Sequence, residues 1–395
     1  MSRKILYLSY FFEPDLGAGS FRNTALAEKM ASLMHDHDEI DLLTTMPNRY
    51  ANINQAASPV EQRGRLAITR FAVSRGSDSF IQQIRSFRQY RRQVLQHVGN
   101  RSYDLVFASS SKLFTAYLAM QIARSRNIPL YVDLRDLFAE NMKELIPFMG
   151  IGHVLSGLIR HFYEKPCLQY AAHLNINSEG FCEEFKYRGN LPMTFFPNGI
   201  DDFFLGHTQS AELGAEPVVI TYAGNIGEGQ GLHKVIPAMA KGLGSCFRIQ
   251  VIGSGSSLHK LKSVVAQNKL DNARLIAPVA RKELIAYYRH SHYLFLHLND
   301  YRAFEKVIPS KLFEYGALNM PVIAGVAGYP ARFIREQLKA NFILFAPCDA
   351  ASAVQQILAY PYHLETRTDF VDKYQREHIT AALAQSVLSY LDPQP

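Results

Sequence analysis

Ile220-Thr-Tyr-Ala-Gly-Asn-Ile-Gly-Glu-Gly-Gln-Gly-Leu232 reads as a strand, a glycine-rich loop and the start of a helix. The opening residues suit a buried parallel strand, and Leu232 to Ala240 carries apolar residues at helical spacing. Gly224, Gly227, Gly229 and Gly231 are more glycine than one tight turn needs. Bare backbone N–H groups at the start of a helix attract anions. A phosphate cradle is therefore preferred over a purely structural turn, with Asn225 and Gln230 as additional amide donors. A second loop, Ile252-Gly-Ser-Gly-Ser256, follows the next strand and brings in Gly253 and Ser254. Two neighbouring parallel strands that both end in glycine turns predict a shared diphosphate site.

Outward from this segment, β-rich runs alternate with helical patterns in both directions. Upstream they are Ile5 to Tyr10, Glu39 to Thr45, Leu66 to Val73, Asp104 to Ser109, Pro129 to Asp133, His173 to Asn177 and Met193 to Pro197. Downstream of Val218 to Ala223 they are Phe247 to Gly253, Ala273 to Ala277, Tyr293 to Leu298, Pro321 to Gly325 and Phe342 to Phe345. Near-continuous apolar strands separated by helices mark parallel sheets covered on both faces. The fold class is α/β, with two doubly wound Rossmann-like domains facing across a cleft. The small, polar stretch Gly206 to Pro217 follows the turn Pro197-Asn-Gly-Ile-Asp201 and marks the break. The expected domains are 1–205 and 206–365, with a C-terminal helical segment 366–395 returning to the first domain.

Composition narrows the class. With 395 residues, 48% hydrophobic and 19% charged, the chain has the make-up of a globular protein rather than a disordered or low-complexity one. No run of roughly 18 uncharged apolar residues predicts a transmembrane helix. The short N-terminal run Ile5 to Phe12 ends in Glu13 and lacks a small-residue cleavage site, so it is read as a strand and not a signal peptide. The 4 cysteines show no disulfide or metal pattern and are expected to be reduced thiols in a cytoplasmic protein. His153, His161, His290, His292 and His297 likewise show no metal spacing and are read as structural or surface groups.

Three further constellations lie in loops after strands. Glu13-Pro-Asp-Leu-Gly-Ala-Gly-Ser-Phe-Arg22 offers Gly17 and Gly19 before a helix, with Arg22 as a charge partner for an anion; a ligand-free turn fits equally. Leu130-Tyr-Val-Asp-Leu-Arg-Asp136 ends a strand with Asp133, Arg135 and Asp136 together, as a functional cluster or a structural Asp–Arg pair. In Phe304-Glu-Lys-Val-Ile-Pro-Ser-Lys-Leu-Phe-Glu-Tyr-Gly316 and on to Gly325, Pro309 and Ser310 open a helix that sets Lys311 and Glu314 on one face. A carboxylate there can take two ribose hydroxyls and the lysine can meet a phosphate; an exposed ion pair is the simpler alternative.

These motifs resemble the retaining glycosyltransferases of family 4, which have the two-domain GT-B fold. Pro14 to Arg22 resembles the first domain's glycine loop and arginine, Asp133-Leu-Arg-Asp136 its acceptor-side strand end, and Pro197-Asn-Gly-Ile-Asp201 the domain-joining turn. Tyr222-Ala-Gly-Asn-Ile-Gly227 with Gln230-Gly-Leu232, and Pro309 to Tyr315, resemble the branch that builds bacterial surface polysaccharides, O-antigen and capsule, including N-acetyl-fucosamine transferases. The family's two glutamates have seven residues between them; Glu314 fits the second, while Lys306 takes the first place with Glu305 beside it. Asn225 and Gln230 replace the family's phosphate-holding Arg and Lys.

The resemblance implies a nucleotide diphospho-sugar donor, read as UDP-linked, on the second domain. Gly224, Asn225, Gln230, Gly253 and Ser254 would line the phosphates, with Gly17, Gly19 and Arg22 contributing from the first domain. Pro278 and Val279 would hold the base, Glu314 the ribose and Lys311 the leaving diphosphate, with Ser310 a further donor-binding residue. Lys311, Glu305, Asp133 and Asp136 are the catalytic candidates. No metal or other cofactor is expected. The acceptor is a glycan or a polyprenyl-diphosphate-linked glycan.

A second feature needs its own account. From Arg63 to Arg101 the chain holds Arg63, Arg65, Arg70, Arg75, Arg85, Arg88, Arg91, Arg92 and Arg101 against the single acid Asp78. Ser79 to Val98 reads as an amphipathic helix with Phe80, Ile84, Phe87, Val94 and Val98 on one side and Arg85, Arg88 and Arg92 on another. The arginines are either merely solvated or, with Arg135 on the acceptor side, attract an anionic inner-membrane surface, making a peripheral enzyme of the cytoplasmic face. No nucleic-acid recognition motif accompanies them, so nucleic acid is not expected as a partner. A GT-B-fold sugar-nucleotide 2-epimerase is the alternative function; it would use the same donor site without an acceptor.

Overall fold

The computed structural model describes residues 2–15, 17–48, 56–74, 80–110, 113–136, 151–207 and 217–391. Arg75, Asp78, Ser79 and most of the stretch 206–217 discussed above lie outside them. The chain divides into one unit formed by Met1–Asn198 with Glu377–Pro395, and a second formed by Gly199–Arg376.

The first unit holds an eight-stranded sheet of order β3-β4-β2-β1-β5-β6-β7-β8. Its strands are β1 (Lys4–Ser9), β2 (Glu39–Thr45), β3 (Val60–Arg63), β4 (Leu66–Phe71), β5 (Leu105–Ser110), β6 (Leu130–Leu134), β7 (His173–Ile176) and β8 (Met193–Phe195). All pairings are parallel except β3 with β4, an antiparallel edge hairpin. The β3 strand escaped the sequence reading because Val-Glu-Gln-Arg is short, polar and half-exposed, without a buried face to leave a period.

Its helices are α1 (Ala18–Leu33), α2 (Phe80–Val98), α3 (Leu113–Arg126), α4 (Ile151–Ile159) and α5 (Lys165–Tyr170), the last two joined by a π-helical turn at Arg160–Glu164. On the α1 face the register aligns Tyr7, Phe107, Tyr131 and His173 as a row of packed rings. Leu26, Met30 and the C-terminal residues Leu383, Ala384 and Val387 close over it. This shared core is why the C-terminal helix, Arg376–Leu388, belongs to the first unit from Glu377 onward. On α2, Phe87, Tyr90, Val94 and Val98 are buried while Arg85, Arg88, Arg91 and Arg92 are exposed, as the amphipathic pattern predicts.

The second unit holds a six-stranded parallel sheet of order β11-β10-β9-β12-β13-β14. The strands are β9 (Val218–Asn225), β10 (Phe247–Ser254), β11 (Ala273–Ile276), β12 (Tyr293–His297), β13 (Val322–Gly325) and β14 (Phe342–Phe345). The helices are α6 (Leu232–Leu243), α7 (Leu258–Gln267), α8 (Arg281–Arg289), α9 (Lys311–Gly316), α10 (Gly328–Phe333), α11 (Ala350–Ala359) and α12 (Thr368–Tyr374). Val235, Ile236 and Met239 of α6 pack with Ile249, Val251, Phe295 and Ile323 in its core.

The division falls at 198/199 and 376/377 rather than at 205/206 and 365/366. Its cause is local bonding. Ile200 N–H donates to Tyr374 O at 2.6 Å, Arg376 N–H to Ile200 O at 2.8 Å, and Arg281 and Arg376 both reach Asp201 Oδ2 at 2.6 Å. Burial alone would raise the Asp201 carboxyl, but Arg376 and Arg281 hold it below the ordinary aspartate range. The stretch 199–205 and α12 are thereby fixed to the second unit.

Candidate active site

The carboxyl ends of β9 and β10 meet through two glycines. Gly224 has φ +146° and Gly253 φ +144°, backbone that disfavours side chains, and a Cβ at Gly253 would clash with Gly224 O. A Cβ at Gly224 would instead clash with Lys311 Nζ. The start of α9 therefore delivers an ammonium directly onto the glycine turn of β9, 5.6 Å from the centroid of the Tyr222 ring. Tyr222 O–H donates to Asn225 O at 2.5 Å and stiffens the turn. Lys311 is half-buried and makes no hydrogen bond or ion pair among the described residues.

Ser310 caps α9 in helical backbone without a side-chain bond, and Glu314 lies one turn on, half-buried. Lys311 and Glu314 do not pair with each other, and the Glu314 carboxylate has no hydrogen-bond or ion-pair partner among the described residues. The exposed ion pair considered from the sequence is thus absent. Glu305 is exposed in the turn Arg302–Lys306, its main chain against Gly328. Pro278, exposed, and Val279, half-buried, follow β11 at the sheet edge.

Asn225 and Gln230 bond to each other within the loop. Asn225 Nδ2 donates to Gln230 Oε1 at 2.9 Å and Gly227 N–H to the same oxygen at 3.2 Å, so this pair ties the loop to itself. Sequence reasoning also missed what holds the loop from below. His297, at the end of β12, is buried with Nδ1 on Gln230 O at 2.6 Å and Nε2 accepting from Cys348 N–H at 2.9 Å. Both ring nitrogens are used by one neutral tautomer. Asn299 donates to Glu228 O at 3.0 Å and accepts from Lys234 Nζ at 2.9 Å. The only signal was polar residues at a strand's carboxyl end.

In the first unit the expected site residues form a different object. Asp133 is fully buried; Arg22 Nε and one terminal nitrogen donate to its two oxygens at 3.2 and 3.1 Å, and Asn175 Nδ2 donates at 2.6 Å. Arg22 also donates to Pro197 O at 2.6 Å and Phe196 O at 2.9 Å. Arg135 lies beneath Gly19, donating to its carbonyl at 3.3 Å and to Asn198 Oδ1 at 3.1 Å. Burial, then the neighbouring Arg22, pushes the Arg135 guanidinium down to about 10. Arg22 and Asp133 are thus engaged with each other in a buried ion pair, and Arg22 ties the end of β8 to α1. Asp136 is half-buried beside Arg135, and Gly17 precedes α1 in extended backbone.

Two histidines give a pH prediction. Burial lowers His297 and His173 to about 4 each, against an ordinary 6.5. Their unfolded forms bind protons first, so their contribution to stability is complete above about pH 6.5 and falls as pH drops toward about 4. The thermal midpoint should decline across that window. A midpoint unchanged between neutral pH and about pH 4.5 would contradict the neutral, buried imidazoles.

Among the described residues no cluster of three or more His, Cys, Asp or Glu is placed to hold a metal, and no helix is long and apolar enough to cross a membrane. Residues 207–376 match the family model described as glycosyl transferases group 1. That match falls within the second unit, Gly199–Arg376. No curated protein sequence matches the chain. Among solved structures it is similar to sucrose-phosphate synthase from Thermosynechococcus elongatus, at 16% identity and TM-score 0.74 with 98% of each chain covered. The lipopolysaccharide outer core galactosyltransferase WaaB is similar at 13% identity and TM-score 0.63, covering 98% of this chain and 99% of that one. Anabaena HepE in complex with UDP and glucose is similar at 15% identity and TM-score 0.61, covering 98% and 97%. The fold is GT-B, two parallel-sheet α/β units, and the enzyme is a glycosyltransferase.

Proposed function

We propose that this glycosyltransferase is a retaining enzyme of family 4 that moves a sugar from a UDP-sugar to a glycan or polyprenyl-diphosphate-linked acceptor in bacterial surface-polysaccharide synthesis. The observation that carries the donor reading is Lys311 Nζ lying on the Gly224 turn without a hydrogen-bond or ion-pair partner among the described residues. A diphosphate laid along the Gly224 and Gly253 turns meets backbone N–H groups and this ammonium. Charge that builds on the departing diphosphate is then stabilised by groups already in place. Glu314, half-buried, takes the ribose hydroxyls one turn along α9. Ser310 borders the diphosphate, Pro278 and Val279 border the base, and Glu305 contacts the sugar. Arg135 and Asp136 stand on the acceptor side. Lys311 supplies the positive charge, so transfer proceeds without a metal cofactor.

UDP is the nucleotide in the solved structure of Anabaena HepE, and UDP-2-fluoro glucose is bound in that of the E. coli trehalose-6-phosphate protein, which supports this choice of base. Incubating the chain with labelled UDP-sugars, with and without polyprenyl-diphosphate-linked glycan, separates the functional classes. The expected result is acceptor-dependent transfer that retains the anomeric configuration and survives EDTA. Epimerised sugar nucleotide formed without acceptor, or an inverted product, would overturn the reading.

A further inference from the structure

One surface of the first unit inverts the usual distribution of side chains. In α4 and the turn after it, Val154, Leu158 and Phe162 are 66%, 48% and 57% exposed, whereas Ser156 and Glu164 are buried. Their spacing of four residues makes one continuous apolar ridge. Folding alone gives no reason to bury a serine and a glutamate while leaving a valine, a leucine and a phenylalanine in water.

The ridge belongs to a larger face. The connections β4 to β5, β5 to β6 and β6 to β7 all run in one direction across the sheet, so right-handed crossovers put α2, α3 and α4–α5 on the same side. Ring contacts join them: Phe87 of α2 lies 5.4 Å from Phe114 of α3, and Phe114 lies 5.4 Å from Tyr163. This helical layer exposes Arg85, Arg88, Arg91 and Arg92 on α2, Arg124 on α3 and Lys165 on α5. Its only acid among residues 80–98, 113–126 and 151–170 is the buried Glu164. A merely solvated helix face mixes both signs; this one does not.

We infer that the α2–α3–α4 layer docks on an anionic lipid bilayer, with the Val154–Leu158–Phe162 ridge entering the boundary between headgroups and acyl chains and the arginines meeting lipid phosphates. The inference commits to lipid because the two features are complementary to one partner. Arginines alone would serve a nucleic acid or an acidic protein, but an apolar ridge in the same helical layer matches the layered chemistry of a membrane interface. It gives the proposed lipid-linked acceptor a surface on which to be met and rests on that reading only for its purpose. Lipid binding is measured without donor or acceptor, so failure of transfer and failure of docking are separable.

The test uses the full chain and vesicles of phosphatidylcholine with or without phosphatidylglycerol. The chain contains no tryptophan, so Phe162→Trp places a single indole on the ridge. Its emission should shift to the blue on phosphatidylglycerol-containing vesicles and stay unchanged on neutral ones. Val154→Ser/Leu158→Ser/Phe162→Ser, which alters exposed side chains only, should keep the wild-type melting temperature and lose vesicle partition by roughly tenfold or more. Arg85→Gln/Arg88→Gln/Arg91→Gln/Arg92→Gln should lose at least roughly tenfold at low salt, and added salt should weaken the wild type in the same way. Absent co-sedimentation of the wild type at low salt, an unshifted indole emission from the Phe162→Trp variant, or equal partition of the triple serine variant would overturn the inference. So would tighter binding to duplex DNA than to the vesicles.

Discussion

Replacing Asp133 with alanine is expected to destabilise the first unit by about 3–5 kcal/mol, the range for stripping the partner from a buried charge. Arg22 is 4% exposed and Arg135 is 7% exposed, and Asp133 is the carboxylate that Arg22 grips with two bonds. Removing it leaves two guanidinium groups buried side by side, and burial has already pushed Arg135 down to about 10. The Asn175 amide loses its acceptor in the same stroke. Arg22→Leu/Asp133→Leu, which removes both charges, should be less damaging than the single alanine variant, since no unpaired ion of the pair is left behind. Urea unfolding followed by circular dichroism, with hydrogen exchange of the peptide covering β6 to localise the loss, reads the effect. An alanine variant within about 1 kcal/mol of wild type would mean that the pair does not hold the unit together.

Lys311→Ala is expected to lower turnover by roughly a hundred- to a thousandfold while leaving the melting temperature nearly unchanged, because a preplaced donor to developing charge is worth that much. The fold has little stake in this side chain. Lys311 is half-buried and makes no ion pair or hydrogen bond among the described residues, and its contact with the glycine turn is made by the tip of a flexible chain. Lys311→Arg keeps the charge but replaces a compact ammonium with a broad planar group against Gly224, so it should restore only part of the rate. Steady-state release of UDP, measured beside thermal melting, distinguishes chemistry from folding. Turnover of the alanine variant within roughly threefold of wild type, about 0.7 kcal/mol of barrier, would remove Lys311 from the mechanism.

The residues behind these two predictions differ in how far the sequence revealed them. Phe342–Phe345 was legible residue for residue because Phe-Ile-Leu-Phe is an unbroken apolar run, and Glu39–Thr45 because Ile40, Leu42, Leu43 and two threonines make a β-rich run. The β3 edge strand has no such run. At the candidate site, glycines, Lys311 and Glu314 were legible because close backbone approach and charge demand particular residue types near one another in the chain. Asn225 and Gln230 were located, but their bond to each other was not legible, since an amide that can donate to a phosphate can equally donate to its neighbour across the loop. Arg22 and Asp133 were both singled out for ligand chemistry. Their pairing, across 111 residues of sequence, is a tertiary fact with no local signature. His297 and Asn299, which hold the glycine loop from below, were hidden for the same reason.

The central claim is that the second unit binds a nucleoside diphosphate on the Gly224 and Gly253 turns with its ribose on Glu314. Calorimetric titration of UDP into the full chain and into Glu314→Ala tests it most directly. One UDP per chain should bind to wild type, and the variant should bind more weakly by about 1.5–3 kcal/mol, the cost of losing a charge-assisted hydrogen bond, with its melting temperature retained. No heat of binding to the wild type, or equal affinity in the two proteins, would contradict the account.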